Sequence, residues 1–156
     1  MESDFKNLLD KDKYQVFLCH SKCAFPAMFA SHPWFVLNKK GKIVRCGISH
    51  YKNITPESKG HFTVNMLPPF VGLPWFLFYK KFRYQATLLG FIEGDENSVA
   101  KQIIDFIENS VSNYPYVDKY HFVGPNSNTY VQWVLNHFPD FPAALPWNSP
   151  GKNYKI

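Results

Sequence analysis

The chain has 156 residues, of which 46% are apolar and 18% aromatic, with 17 Lys+Arg against 12 Asp+Glu for a net charge of +5. That composition excludes a disordered chain and a coiled coil, and the length suits one domain able to bury a core. We expect a single domain over 1–156. Only Arg45 and Arg83 are arginines. Base and phosphate recognition favours the bidentate guanidinium fork, so the dispersed lysines read as solvated surface and no nucleic-acid partner is expected. Three cysteines, Cys19, Cys23 and Cys46, do not make a disulfide scaffold. The N-terminus lacks a basic stretch followed by an apolar one. The most apolar run, Leu67 to Tyr79, is interrupted by Pro68, Pro69 and Pro74, too short and broken to span a bilayer. The expectation is a cytoplasmic protein with no transmembrane segment.

Residues 1–13 are polar and read as a tail or short helix. Tyr14–His20 alternates, with Tyr14, Val16 and Leu18 on one face, and predicts a strand. Ser21–Ala30 reads as a loop or short helix. Two apolar runs, Trp34–Leu37 and Ile43–Ile48, flank Asn38-Lys39-Lys40-Gly41-Lys42 and predict a hairpin with Gly41 available for positive φ. The stretch 49–81 is aromatic, rich in Pro and without period: a long irregular excursion of the kind that forms lids and binding loops. Phe82–Ile92 alternates and reads as the longest strand. Val99, Ile103, Phe106, Ile107 and Val111 form a helical stripe within Asp95–Val111, with Asp95, Asn97 or Ser98 as cap. Tyr114–Val123 reads as a further strand, halted by Gly124-Pro125. A second helix is predicted over Thr129–Phe138, ended by Pro139, and 143–156 as an irregular tail. The fold class expected is α+β, an antiparallel sheet of four to five strands packed with two main helices.

One segment points to chemistry. Gly124-Pro125-Asn126-Ser127-Asn128-Thr129-Tyr130 places four small polar residues at the mouth of an apolar helix. A helix N-terminus offers unpaired N–H groups and partial positive charge, which favour an anion or a developing oxyanion. A hydroxyl there serves as nucleophile if a base lies within reach. The competing reading is capping alone, for which Thr129-Tyr130-Val131-Gln132 fits the capping-box pattern.

Tyr114-Pro115-Tyr116, Tyr120, GPNSNTYV-x-W, Leu145-Pro146 and Gly151-Lys152-Asn153-Tyr154 resemble an uncharacterised bacterial family, domain of unknown function 3750. Its members carry YPY, GPNSNTF-x-x-W, a Leu-Pro and an Ile-Gly-Lys-Asp-Tyr ending. Phe29-Ala30-Ser31-His32-Pro33-Trp34 is similar to the A-x-H-T-W element of that family. Departures are Tyr130 for Phe, Pro33 for Thr and Asn153 for Asp. The layout also resembles circularly permuted papain-like domains of the NlpC and lecithin:retinol acyltransferase type. There a His opens an early strand and the nucleophilic Cys stands late, at a helix start.

That second resemblance implies a site for acyl transfer or amide and ester hydrolysis. Ser127 stands where the Cys would be, as nucleophile or substrate-orienting hydroxyl, with His32 as the base and His50 or an Asn orienting it. Backbone N–H groups near Asn128 form the oxyanion site, and the aromatic stretch 68–79 walls the cleft. Asn126, Asn128, Thr129, Trp34 and Tyr130 are the expected binding residues. Cys23 is the alternative nucleophile, with His32 or His50 as base. A non-catalytic module holding an anion or small molecule at the same place is the rival function. Cys19-His20-x-x-Cys23 lacks a fourth ligand and opposite strand faces separate its first two, so no metal is expected. No cofactor is expected. The substrate class is left at small molecule, peptide or lipid-like. Were the Leu67–Tyr79 run exposed, its apolar patch would suggest a lipid or partner surface.

Overall fold

Alternating apolar residues in neighbouring segments must bury both of their faces, and the chain does so with one sheet covered on either side. The computed structural model describes residue 5, residues 7–77 and residues 79–156; the expectation for 1–13 lies partly outside them. The strands are β1 (Tyr14–Lys22), β2 (Ser31–Lys39), β3 (Lys42–Ile48), β4 (Phe62–Val64), β5 (Val71–Phe76), β6 (Tyr79–Gln85) and β7 (Thr87–Gly94); the helices are α1 (Val99–Asn113) and α2 (Ser127–His137). A five-stranded antiparallel sheet runs β4-β3-β2-β1-β7, and β5 and β6 form a separate antiparallel hairpin. The fold is α+β. Among the described residues no helix is long and apolar enough to cross a membrane.

The predicted hairpin is β2–β3. Lys40 (φ 51) and Gly41 (φ 93) both take positive φ, the two-residue turn whose twist matches the strands. Val16 and Leu18 of β1, with Phe35 and Leu37 of β2, pack beneath Ile103, Ile104 and Ile107 of α1 and Tyr130 and Val134 of α2. The opposite face carries Phe17, Cys19, Trp34 and Val36, covered by Phe5, Leu8 and Phe70. Each fully buried large apolar side chain in these layers contributes about 1.5–3 kcal/mol relative to exposure.

Four expectations are corrected. First, 49–81 is not structureless: it holds β4, β5 and the start of β6. Pro74 sits inside β5, tolerated because that strand pairs with β6 alone. Second, Phe82–Ile92 is two strands. β6 belongs to the hairpin, Ala86 interrupts, and β7 joins β1 in the main sheet. Third, Tyr114–Val123 contains turns and no strand. Fourth, in α1 the stripe uses Ala100 and Ile104 and leaves Val99 exposed. Asp95 and Asn97 form the turn that precedes it, and Ser98 is the cap, its hydroxyl accepting the Lys101 N–H at 3.2 Å.

Candidate functional site

Helix α2 begins two residues before its predicted start because Asn126, not Thr129, is its cap. Asn126 Oδ1 accepts the N–H groups of Asn128 (2.9 Å) and Thr129 (3.2 Å), while the Thr129 hydroxyl accepts the Asn126 N–H (3.1 Å). The capping box is therefore Asn126/Thr129, and Gln132 instead bonds Asn136 on the surface. The segment read as an irregular tail locks this helix mouth. The Pro150 carbonyl accepts from both Asn126 Nδ2 and Asn128 Nδ2, each at 3.0 Å, and the Gly151 carbonyl accepts from Thr129 Oγ1 at 2.8 Å. Gly151 has φ +87, and a Cβ there would stand 2.7 Å from the Asn126 amide atoms. Only glycine lets the tail approach so closely.

The same contacts dock α2 onto the start of β2. Asn128 Nδ2 donates to the Ser31 carbonyl at 3.0 Å, and the Ser31 N–H donates to the Asn148 carbonyl at 2.9 Å. His32 follows immediately. Its Nδ1 lies 3.1 Å from Ser127 Oγ, a hydrogen bond across 95 positions of sequence. That distance is within reach for proton transfer between a hydroxyl and an imidazole.

The electrostatics hold His32 neutral. It is 8% exposed, and burial pushes its imidazole down to about 3, with the charges of Arg45 and His50 acting in the same direction. A neutral ring with its proton on Nε2 presents Nδ1 as acceptor to the serine. Arg45 is itself buried. Its guanidinium lies 3.9 Å from the Trp34 ring centroid and donates from Nη1 to the carbonyls of Pro68 (2.8 Å) and Val71 (2.6 Å). Burial lowers its pKa to about 9.

Ser127 and His32 open onto a cavity of about 630 Å³ between the loop after β1, the loop after β3, strand β5 and the mouth of α2. Its walls include Phe25, Ile54, Met66, Leu73 and Leu77, and among the described residues no Asp, Glu, Lys or Arg lines it. At neutral pH the site is therefore uncharged around a polar pair.

Of the expected residues, Ser127, His32, His50, Cys23, Asn126 and Asn128 all line this cavity. Three binding expectations are corrected. Trp34 does not line it; its indole is buried between Arg45 and the Pro69 carbonyl, which accepts its Nε1–H at 2.8 Å. Thr129 is spent on the cap and on Gly151. Tyr130 is fully buried in the core, its hydroxyl 2.8 Å from Ser110 Oγ. The Asn128 N–H does not face a substrate, because Asn126 Oδ1 already takes it; the same bond removes an N–H that an anion would need. Among the described residues no hydrogen bond engages the Ser127 N–H.

His50 lies at the cavity wall with its ring centroid 3.8 Å from that of Tyr51, and no hydrogen bond joins it to His32. Burial pushes the Cys23 thiol up to about 11, and no histidine hydrogen-bonds to it among the described residues, whereas His32 hydrogen-bonds to Ser127. Cys19 is buried in the face opposite the helices, and among the described residues no three metal-ligating side chains converge. Sequence reasoning missed Ser49 and Met66, which line the cavity, and the tail carbonyls of 148–151 that brace it. Backbone acceptors leave no residue-type signal.

No curated protein and no solved structure matches the chain. A family model does: residues 12–154 match the one described as Protein of unknown function (DUF3750), so the chain, from the start of its sheet through the tail that braces Ser127, belongs to that family.

Proposed function

We propose that Ser127 and His32 act as nucleophile and base in acyl transfer or in hydrolysis of an uncharged ester or amide, on a scaffold of permuted papain-like layout. The observation that carries the reading is the 3.1 Å Ser127–His32 hydrogen bond inside an uncharged cavity at a helix N-terminus. The Ser127 oxygen attacks the substrate carbonyl carbon while its proton passes to His32 Nδ1. The oxyanion that forms is stabilised by the Ser127 N–H and the N-terminal dipole of α2. Collapse expels the alcohol or amine, which takes the proton from His32. Water, or an acceptor hydroxyl, then releases the acyl group from Ser127 by the reverse sequence. Burial makes the free imidazole a weak base, but the nascent oxyanion beside it offsets the cost of the imidazolium.

The apolar walls favour substrates whose acyl part is aliphatic or aromatic, and the missing charges disfavour ionic ones. The test is labelling with a fluorophosphonate probe, read by mass spectrometry, together with turnover of p-nitrophenyl acyl esters. Labelling should map to Ser127, vanish in Ser127→Ala, weaken in His32→Gln and persist in Cys23→Ala. Labelling that is indifferent to Ser127→Ala overturns the reading.

One observation favours a second reading, binding without chemistry. Among the described residues no side chain hydrogen-bonds His32 Nε2 to steady an imidazolium, and His50 stands apart. The cavity would then hold a neutral, largely apolar small molecule oriented by Ser127 and His50. Thermal stabilisation by such a molecule, with no product formed, separates the two.

A further inference from the structure

The hairpin β5–β6 pairs with no strand of the main sheet and carries side chains that a water-facing hairpin normally avoids. Trp75, Phe76, Tyr79 and Phe82 are all 44% exposed or more, and Leu77 at the turn is 37% exposed. The rings hold one another in place, Trp75 stacking on Phe82 with centroids 5.4 Å apart. The loop after β1 extends the patch: Phe25 donates its N–H to the Trp75 carbonyl at 2.8 Å, sets its ring 5.8 Å from Phe76 and is 53% exposed. The charge here has one sign. No Asp or Glu occurs between Glu57 and Glu93, whereas the exposed Lys81 falls on β6. Lys81 Nζ lies 5.9 Å over the Phe82 ring.

We infer that this hairpin docks the protein onto an anionic lipid bilayer, its aromatic rings entering the boundary between headgroups and acyl chains. Trp and Tyr rings with Lys or Arg beside them are the side chains that settle at that depth, their apolar bodies in hydrocarbon and polar ends in the headgroup layer. Basic residues without acidic neighbours are attracted to anionic headgroups, each by about fivefold in partition. A protein interface is depleted of lysine among its aromatics, whereas here Lys81 lies over the Phe82 ring. The patch is also continuous with the cavity. Phe25 and Leu77 belong to both, so an apolar molecule leaving the bilayer meets a wall on which no described residue is charged until it reaches Ser127 and His32. The docking inference does not depend on Ser127 being a nucleophile.

The test is co-sedimentation of the full chain with vesicles of phosphatidylcholine alone or mixed with phosphatidylglycerol. Trp75 emission is followed in a Trp147→Phe background, which removes the other strongly exposed indole. Binding should require phosphatidylglycerol, shift the emission to the blue and expose Trp75 to quenching by brominated acyl chains. The double variant Trp75→Ala/Phe76→Ala and the single variant Lys81→Glu should each weaken partition by about fivefold or more. Lys42→Glu, which changes the net charge equally at the β2–β3 turn far from the hairpin, should leave it nearly unchanged. Circular dichroism confirms that each variant is folded. Absence of vesicle binding, equal losses in Lys81→Glu and Lys42→Glu, or light scattering that shows a dimer undone by the hairpin variants each overturns the inference.

Discussion

Burial of His32 ties folding stability to pH in a way that can be worked through in advance. Its imidazole titrates near 6.5 in an unfolded chain and near 3 in the fold. Between those values the unfolded chain takes up a proton that the folded one refuses, so stability is full above 6.5 and falls as the pH drops toward 3. Going from about pH 7.5 to about pH 5, the unfolded state gains roughly RT ln(1 + 10^1.5), about 2 kcal/mol, and the folded state almost nothing. For a chain of this length that corresponds to a fall in Tm of about 4–8 °C. His20 and His50 are also depressed by burial and add their own pH dependence. The measurement is therefore a difference: urea unfolding of the wild type and of His32→Gln at both pH values. Glutamine keeps an amide near Ser127 and does not titrate. The wild type should lose about 2 kcal/mol more than the variant on acidification. Equal losses would refute the reasoning, because they would show that His32 is protonated as readily in the fold as in the unfolded chain.

Asn126→Ala removes the two accepted bonds of the α2 cap and the two donated by Nδ2 to the carbonyls of Phe122 and Pro150. At about 1 kcal/mol for the cap and about 1 for each donated bond, stability should fall by about 3 kcal/mol, with Asn126→Asp, which keeps the cap oxygen, falling less; thermal unfolding reads both. Cys23, held as a thiol by burial, should be alkylated by iodoacetamide at neutral pH on the order of a hundredfold more slowly than a free cysteine, as followed by intact mass.

The parts of this molecule legible in its sequence are those set by local periodicity. Val16 and Leu18, Phe35 and Leu37, and Ile103 and Ile107 announced β1, β2 and α1 because each pattern repeats within a few residues. The division of Phe82–Ile92 was invisible because both halves alternate, and nothing in an alternating run says that its partner strand changes at Ala86. Strand β4 has only three residues, and β5 carries Pro74. At the site, the order of His32 and Ser127 along the chain was readable through a resemblance. Their 3.1 Å separation was not, since it depends on carbonyls of Ser31 and Pro150 that any residue type could supply. Trp34 was misjudged for a related reason: standing two residues beyond His32 on β2 places it deeper along the strand, under Arg45, rather than at the cavity.

The bracing of α2 by Pro150 and Gly151, and of Ser31 by Asn148, sets an order of events for a nascent chain. Strands β1 to β3 are neighbours in sequence, so their pairing is local and His32 is made well before Ser127. Ser127 meets it in a fixed pose only when residues near 150 have emerged to seat the helix. Until then the growing polypeptide carries a half-made centre, and any chemistry the pair performs is withheld until translation has passed that point.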